Sequence, residues 1–258
     1  MHKKMRTIFT GLCGLFTLAS LAASASAQEV KPKTPMYSYV ANWQIPRDHW
    51  ADMEKSAAAR SAVMDRAIAD GTLVGYGDDL NLVHTPDAET HDTWWSSKSM
   101  AGLLKVLDTL MSTDVSASPY AAAATKHWDS IYISRYYNWK AGAYKSGYVS
   151  ISSYKLKSDA PDNAVDVLSR HLIVPLLEKL LADGTISEYE IDEMAVHTAA
   201  PGTFAIVYIT PTPEGLDKVD ASIMDTIKNH PLSGTAFGSM IDDSGHRDEL
   251  MKGNGVYK

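Results

Sequence analysis

Cysteine is almost missing from this chain: Cys13 is the only one in 258 residues. Beyond residue 27 there is none, which excludes a disulfide, a thiolate metal site and a cysteine nucleophile there. GxSxG, Walker-loop, dinucleotide-fingerprint and HExxH patterns are absent as well. The local signatures of serine hydrolases, nucleotide enzymes and zinc proteases are therefore missing. No block of like charges or low-complexity tract follows residue 27. Tryptophan is missing from the second half, since Trp43, Trp50, Trp94, Trp95, Trp128 and Trp139 all fall in the first.

The first residues read as a secretory signal peptide over 1–27. Lys3, Lys4 and Arg6 form a basic start, Ile8 to Ala22 an apolar run too short to span a membrane, and Ala25-Ser26-Ala27 a small-residue cleavage site. Cleavage predicts an exported chain, periplasmic or extracellular, with no membrane anchor. The formal charge of −7 then becomes −10, because three bases and no acid leave with the segment. That balance argues against nucleic acid as a partner, since phosphate binding needs a basic face. Residues 28–35, with two prolines, read as a flexible lead-in.

A shift of 113 positions aligns ADGTLVGYGDDLNLVHT (Ala69 to Thr85) with ADGTISEYEIDEMAVHT (Ala182 to Thr198) without a gap. Nine of the seventeen positions are identical, where average composition gives roughly one. The same shift pairs Gly102-Leu103 with Gly215-Leu216 and Lys105-Val106 with Lys218-Val219. Two repeats follow, over 36–146 and 147–258.

Each repeat shows one order of elements. In the first, Met36 to Trp43 reads as a strand, and Pro46 and Asp48 open a helix stopped by Asp70-Gly71. Leu73 to Thr85 and Thr93 to Ser96 read as strands; Ser97 or Ser99 caps a helix facing inward through Leu103, Leu104, Leu107 and Leu110. Ser130 to Tyr137 closes the repeat as a strand. In the second, Gly147 to Leu156 is a strand, followed by a helix from about Asp162 to Ala182, kinked near Pro175. Strands at Ile186 to Thr198 and Thr203 to Thr210 precede a helix from Thr212-Pro213 with Leu216, Val219, Ile223 and Ile227 inward. Thr235 to Ile241 reads as the last strand. The order is βαββαβ, twice: an α+β chain of two ferredoxin-like repeats whose sheets pack face to face.

This order resembles the dimeric α+β barrel superfamily in a fused, tandem form. The resemblance implies a ligand pocket within the barrel or between sheet and helices. It also implies activities ranging from cofactor-independent monooxygenases to haem proteins of the chlorite-dismutase type, so it names a place and not a reaction.

Strand alternation puts Tyr76 with His84, and Tyr189 with His197, on the face away from the helices, where a neutral imidazole could act as a base. Tyr76 and His84 are the candidate catalytic pair; the competing reading makes both histidines scaffold elements beside a turn. Trp94-Trp95 stands where the sister repeat has Val207-Tyr208, so an aromatic wall suited to a small aromatic or apolar molecule is expected in the first repeat. Trp94, Trp95, Trp43, Tyr136 and Arg135 are its candidate ligand-binding residues, with Arg135 able to hold a carboxylate. His84, Asp87, Glu89, His91 and Asp92 crowd one hairpin, yet match no metal motif. His171, on a helix, is the candidate axial residue of a haem. No metal and no cofactor is assigned. The expected function is an exported small-molecule-binding protein, in its catalytic form cofactor-independent and monooxygenase-like. The alternatives are a structural or protein-interaction module, or a haem or metal protein.

Overall fold

A computed structural model describes residues 30–113 and 118–258; the expected signal peptide lies outside the described residues. The first half contributes β1 (Met36–Gln44), α1 (Trp50–Ala69), β2 (Gly75–Asn81), β3 (His91–Ser97), α2 (Met100–Met111), the short α3 (Pro119–Ala123) and β4 (Lys126–Trp139). The second half contributes β5 (Gly142–Leu156), α4 (Ala164–Leu168), α5 (Val174–Asp183), β6 (Glu188–Met194), β7 (Thr203–Thr210), α6 (Pro213–Asn229), α7 (Pro231–Met240) and β8 (Ile241–Tyr257).

The eight strands close into one antiparallel barrel in the order β1-β3-β2-β8-β5-β7-β6-β4. Each half supplies four neighbouring strands, the last beside the first, then the third and the second. Closure comes from β2 pairing with β8 and β4 pairing with β6, so no strand is left with an open edge. Helices cover the outside. One core, around Met64, Leu73, Trp95 and Leu103, lies between the first-half strands and α1–α2. Another, around Leu177, Ile186, Tyr189 and Phe204, lies between the second-half strands and α5.

Local chemistry explains the boundaries. Gly71 and Gly184 both take left-handed backbone, φ +80° and +83°, at the ends of α1 and α5. The aspartates before them each accept a hydrogen bond from a later backbone amide, Thr72 N to Asp70 and Thr185 N to Asp183, both at 2.9 Å. Tyr76 donates to Asp65 on α1 and Tyr189 to Glu178 on α5, each at 2.6 Å. Asp65 and Glu178 are again 113 residues apart, so the same spacing holds for the contacts that fix strand on helix. Ser99, not Ser97, caps α2, accepting from Gly102 N. Pro175, which has no amide hydrogen to donate, follows a π-helical stretch, Ser169–Ile173, that joins α4 to α5 and forms the expected irregularity.

Several expectations are corrected. Residues 235–240 are not strand: Pro231 starts α7, and Thr235 Oγ1 bonds back to Pro231 O. The last strand is β8, whose glycines and charges give it weak strand propensity. Pairing on both sides, with β2 and β5, holds it extended, so tertiary context overrides local preference. β2 ends at Asn81 instead of Thr85, where the Asn81 side chain accepts from Val83 N and turns the chain out of the ladder. β6 likewise stops at Met194. On α2 the buried positions are Leu103, Val106 and Leu110, with Leu104 39% exposed. On α6, Ile223 and Ile227 stay 38% and 42% exposed. The lead-in from residue 30 packs: Val30 lies against the second-half core, Lys33 N donates to Arg135 O at 2.7 Å, and Tyr137 Oη donates to Thr34 O at 2.8 Å.

Candidate ligand-binding cavity in the barrel

Alternation along each strand sends every second side chain into the barrel, and eight strands leave room for one small ligand when those side chains do not fill it. Here they leave a cavity of about 780 Å³. Trp94 and Tyr257 line its floor, backed by further rings. Tyr257 lies 5.3 Å from Trp94 and 5.2 Å from Trp139 between ring centres, and Trp139 stacks in turn on Tyr137. Its mouth lies where Trp128, Lys155, Thr198 and Arg247 line the wall.

The wall has two characters. Along β5 and β7 it is apolar, with Val149, Ile151, Val207 and Ile209. Along β2, β3 and β6 it carries carboxylates. Asp79 and Asp92 face each other in register across β2 and β3, 3% exposed each. Glu188, Glu190 and Asp192 project inward from alternate positions of β6, at 1%, 5% and 6% exposure. Glu89 and Glu249 add two acids toward the mouth, and Asp129 borders the cavity while pairing with His127 on the helical side. Eight acidic residues thus line the cavity against two basic ones, Lys155 and Arg247.

The protein satisfies only part of this acidity. Asp79 Oδ2 accepts from Trp94 Nε1 at 3.0 Å. Glu190 accepts from Ser134 at 3.3 Å and Ser38 at 3.4 Å, and Asp192 accepts from Ser134. Asp79 Oδ1, Asp92 Oδ1 and both carboxylate oxygens of Glu188 are buried with no hydrogen-bond donor from the described residues other than a neighbouring carboxyl. Burial of such groups disfavours their charged form. Asp79 is pushed up to about 7 by burial and by the charge of Asp78. Asp192 rises to about 6, driven by burial against the bonds from Ser134 and Glu190. Burial pushes Asp92, Glu188 and Glu190 well above the usual carboxylate range, reinforced by their acidic neighbours. Glu249 rises to about 8 through burial and the neighbouring Glu89. Near neutral pH the lumen therefore holds protons that an exposed acid would have released.

No family profile matches the sequence, and no curated protein matches it. Among solved structures, a monooxygenase-like protein of Lactobacillus acidophilus superposes with a TM-score of 0.57 at 10% identity, over 86% of this chain and 94% of that one. A monooxygenase-like protein of Fusobacterium nucleatum gives 0.57 at 10%, over 88% and 95%. An anthrone oxidase-like protein gives 0.51 at 6%, over 86% and 92%. The chain shares the α+β barrel fold of these structures. At these identities the likeness concerns architecture alone.

Within that α+β barrel the residues singled out from the sequence are dispersed. Tyr76 points outward to α1, and His84 is exposed in the β2–β3 connection with its ring 5.4 Å from Trp50, so the structure does not bring this pair together. His197 is exposed in the equivalent connection. The adjacent tryptophans separate across the strand: Trp94 enters the lumen, while Trp95 faces the helices, stacked on Tyr39 at 4.3 Å. Trp95 and Trp43 line a smaller cavity of about 250 Å³ between the first-half strands and helices, with Tyr39, Tyr120 and His127. Tyr136 sits on the second-half helical side, bonded to Asp166 and Arg170, and Arg135 is exposed, 3.5 Å from Glu193. His171 is exposed.

The crowded hairpin scatters its donors. Asp87 is exposed, His91 is buried toward the helices, and Asp92 is in the lumen. Burial holds His91 down to about 4, so it is neutral at ordinary pH. Among the described residues no group of three or more His, Cys, Asp or Glu side chains is placed to hold a metal ion. Sequence reasoning missed the lumen acids. The signal was present at Glu188, Glu190 and Asp192, three acids at period two in a strand, which ordinarily reads as a solvent face.

Proposed function

We propose that this chain is an exported small-molecule-binding protein made of two ferredoxin-like βαββαβ repeats, with its ligand in the barrel lumen. The observation that carries the reading is the unfilled cavity itself, within the size range of ligand sites and lined by buried polar atoms that lack partners. A barrel serving only as a scaffold gains nothing from buried, unpaired carboxylates, which cost stability, whereas a binding site uses them. Trp94 on the lumen wall supports an aromatic contact for that ligand.

Native mass spectrometry of the full chain, exported and purified from its own host, tests the reading. A retained small molecule is expected, and it should be lost in Val207→Trp, whose ring would occupy the lumen. Retention of the same molecule by Val207→Trp, or a bare wild-type mass together with an empty lumen after a crystallographic fragment screen, would overturn it.

A second reading places a ring-shaped ligand, and an oxygenase-like reaction without cofactor, in the smaller cavity beside Trp43 and Trp95. Its support is Tyr120, a lining residue whose buried hydroxyl has no partner among the described residues. Loss of the retained molecule in Leu107→Trp, but not in Val207→Trp, would favour that site.

A further inference from the structure

The lumen acids fall into two groups on facing walls. In the circular order of strands, β2 and β6 stand four places apart among eight, which puts them on opposite sides of the barrel. Asp79 on β2, with Asp92 beside it on β3, makes one group; Glu188, Glu190 and Asp192 on β6 make the other. Asp79 and Asp192 stand 113 residues apart, at matching places on their strands. Between them, on β5 and β7, runs the apolar wall of Val149, Ile151, Val207 and Ile209.

Both groups end in buried acceptors that no donor other than a neighbouring carboxyl reaches: Asp79 Oδ1 and Asp92 Oδ1 on one side, both oxygens of Glu188 on the other. An ionised carboxylate out of water is tolerated only when a cation or several donors face it. The two bases on the cavity wall lie at its mouth. An alkylammonium carries a full charge and three donors in a compact head. A single ammonium answers one group and leaves the other bare.

We infer, resting on the lumen reading above, that the ligand is an organic dication: a diamine with one amino group at Asp79 and Asp92, the other at Glu188, Glu190 and Asp192, and its carbon chain on the apolar wall. No bond is made or broken. The ammonium groups replace the protons that the carboxyls share in the free protein.

The experiment compares 1,5-diaminopentane, 1-aminopentane and 1,5-pentanediol by isothermal titration on the mature full chain, with thermal shift in parallel. The diamine should bind at least tenfold more tightly than the monoamine, and the diol not measurably. Glu188→Gln should bring the diamine down to the monoamine's affinity, and Asp79→Asn should do so independently, which keeps the test valid should either variant fold poorly. Equal binding of diol and diamine, equal binding of monoamine and diamine, or displacement of the diamine by equimolar Mg²⁺ or Ca²⁺ would each overturn the dication. Failure of all three compounds would overturn it too, while the adduct test with Val207→Trp, which depends on no amine, would still decide the lumen reading.

Discussion

Asp79→Asn isolates the energetic consequence of a buried acid. In the folded chain Asp79 is raised from 3.8 to about 7, chiefly by burial. An acid whose proton is held more tightly in the folded state makes no differential contribution below about pH 4, where both states are protonated. Between about 4 and 7 the unfolded chain releases the proton and the folded chain keeps it, so stability falls as pH rises. Above 7 both states are ionised and the penalty is complete. At about 1.4 kcal/mol for each tenfold change in proton affinity, the interval amounts to roughly 4 kcal/mol. Asparagine keeps an oxygen for Trp94 Nε1 and cannot ionise. Urea unfolding followed by tryptophan fluorescence at pH 4, 6 and 8 should find the variant level with the wild type at pH 4 and up to about 4 kcal/mol more stable at pH 8. A stability difference that does not grow with pH, or a wild type more stable at pH 8, would refute the reasoning.

Gly253→Ala should lose soluble yield or more than about 3 kcal/mol in thermal or urea unfolding, because a Cβ there would meet Asp79 Oδ1 at 1.5 Å and Asp78 O at 2.5 Å. Gly71→Ala, with no atom within 4 Å of the new methyl, should cost only the strain of left-handed backbone, about 1–2 kcal/mol by urea midpoint. His84→Ala and His197→Ala, both at exposed loop positions, should each stay within about 0.5 kcal/mol of wild type and leave any lumen adduct in native mass spectra intact. Trp95→Ala, emptying a position 2% exposed, should cost about 3–5 kcal/mol by the same unfolding assay without removing that adduct.

What could be read from the sequence was whatever recurs at short range. ADGT announced a helix stop because only glycine takes φ near +80° cheaply, and the stop occurs twice. The strands and two longer helices of the first half and the helix start at Pro213 followed from period and punctuation, while the short α3 did not. β8 could not be read, since its extension depends on partners from both halves. The lumen escaped for a related reason. EYEIDEM alternates acid and apolar residues like any half-exposed strand, and only closure by β4 and β7 turns its acidic face inward. Tyr76 misled in the opposite way: its hydroxyl looked like chemistry but anchors β2 to α1 through Asp65, as Tyr189 anchors β6 to α5 through Glu178. Trp94-Trp95 pointed to a true difference between the repeats and not to one wall, because adjacent strand residues face opposite sides.

The difference between the two halves gives the lumen its direction. Gly75 and Gly77 of β2 stand where β6 has Glu188 and Glu190. The glycines are not spare positions: a Cβ at Gly75 would come within 2.7 Å of the Tyr257 ring, and one at Gly77 within 2.7 Å of the Trp94 ring. The first half therefore gives its inner surface to aromatic rings and keeps one inward acid on β2, Asp79, while the second half keeps Asp192 and adds two more. β3 and β7 differ in the reverse sense, with Asp92, Trp94 and Ser96 against Ala205, Val207 and Ile209. A strictly two-fold lumen would offer any ligand two equivalent poses. Here the half richer in acids on β6 is poorer in rings, and the walls between are polar on one side and apolar on the other. A ligand with unlike ends is consequently held one way round, a discrimination that two identical subunits forming the same barrel could not make.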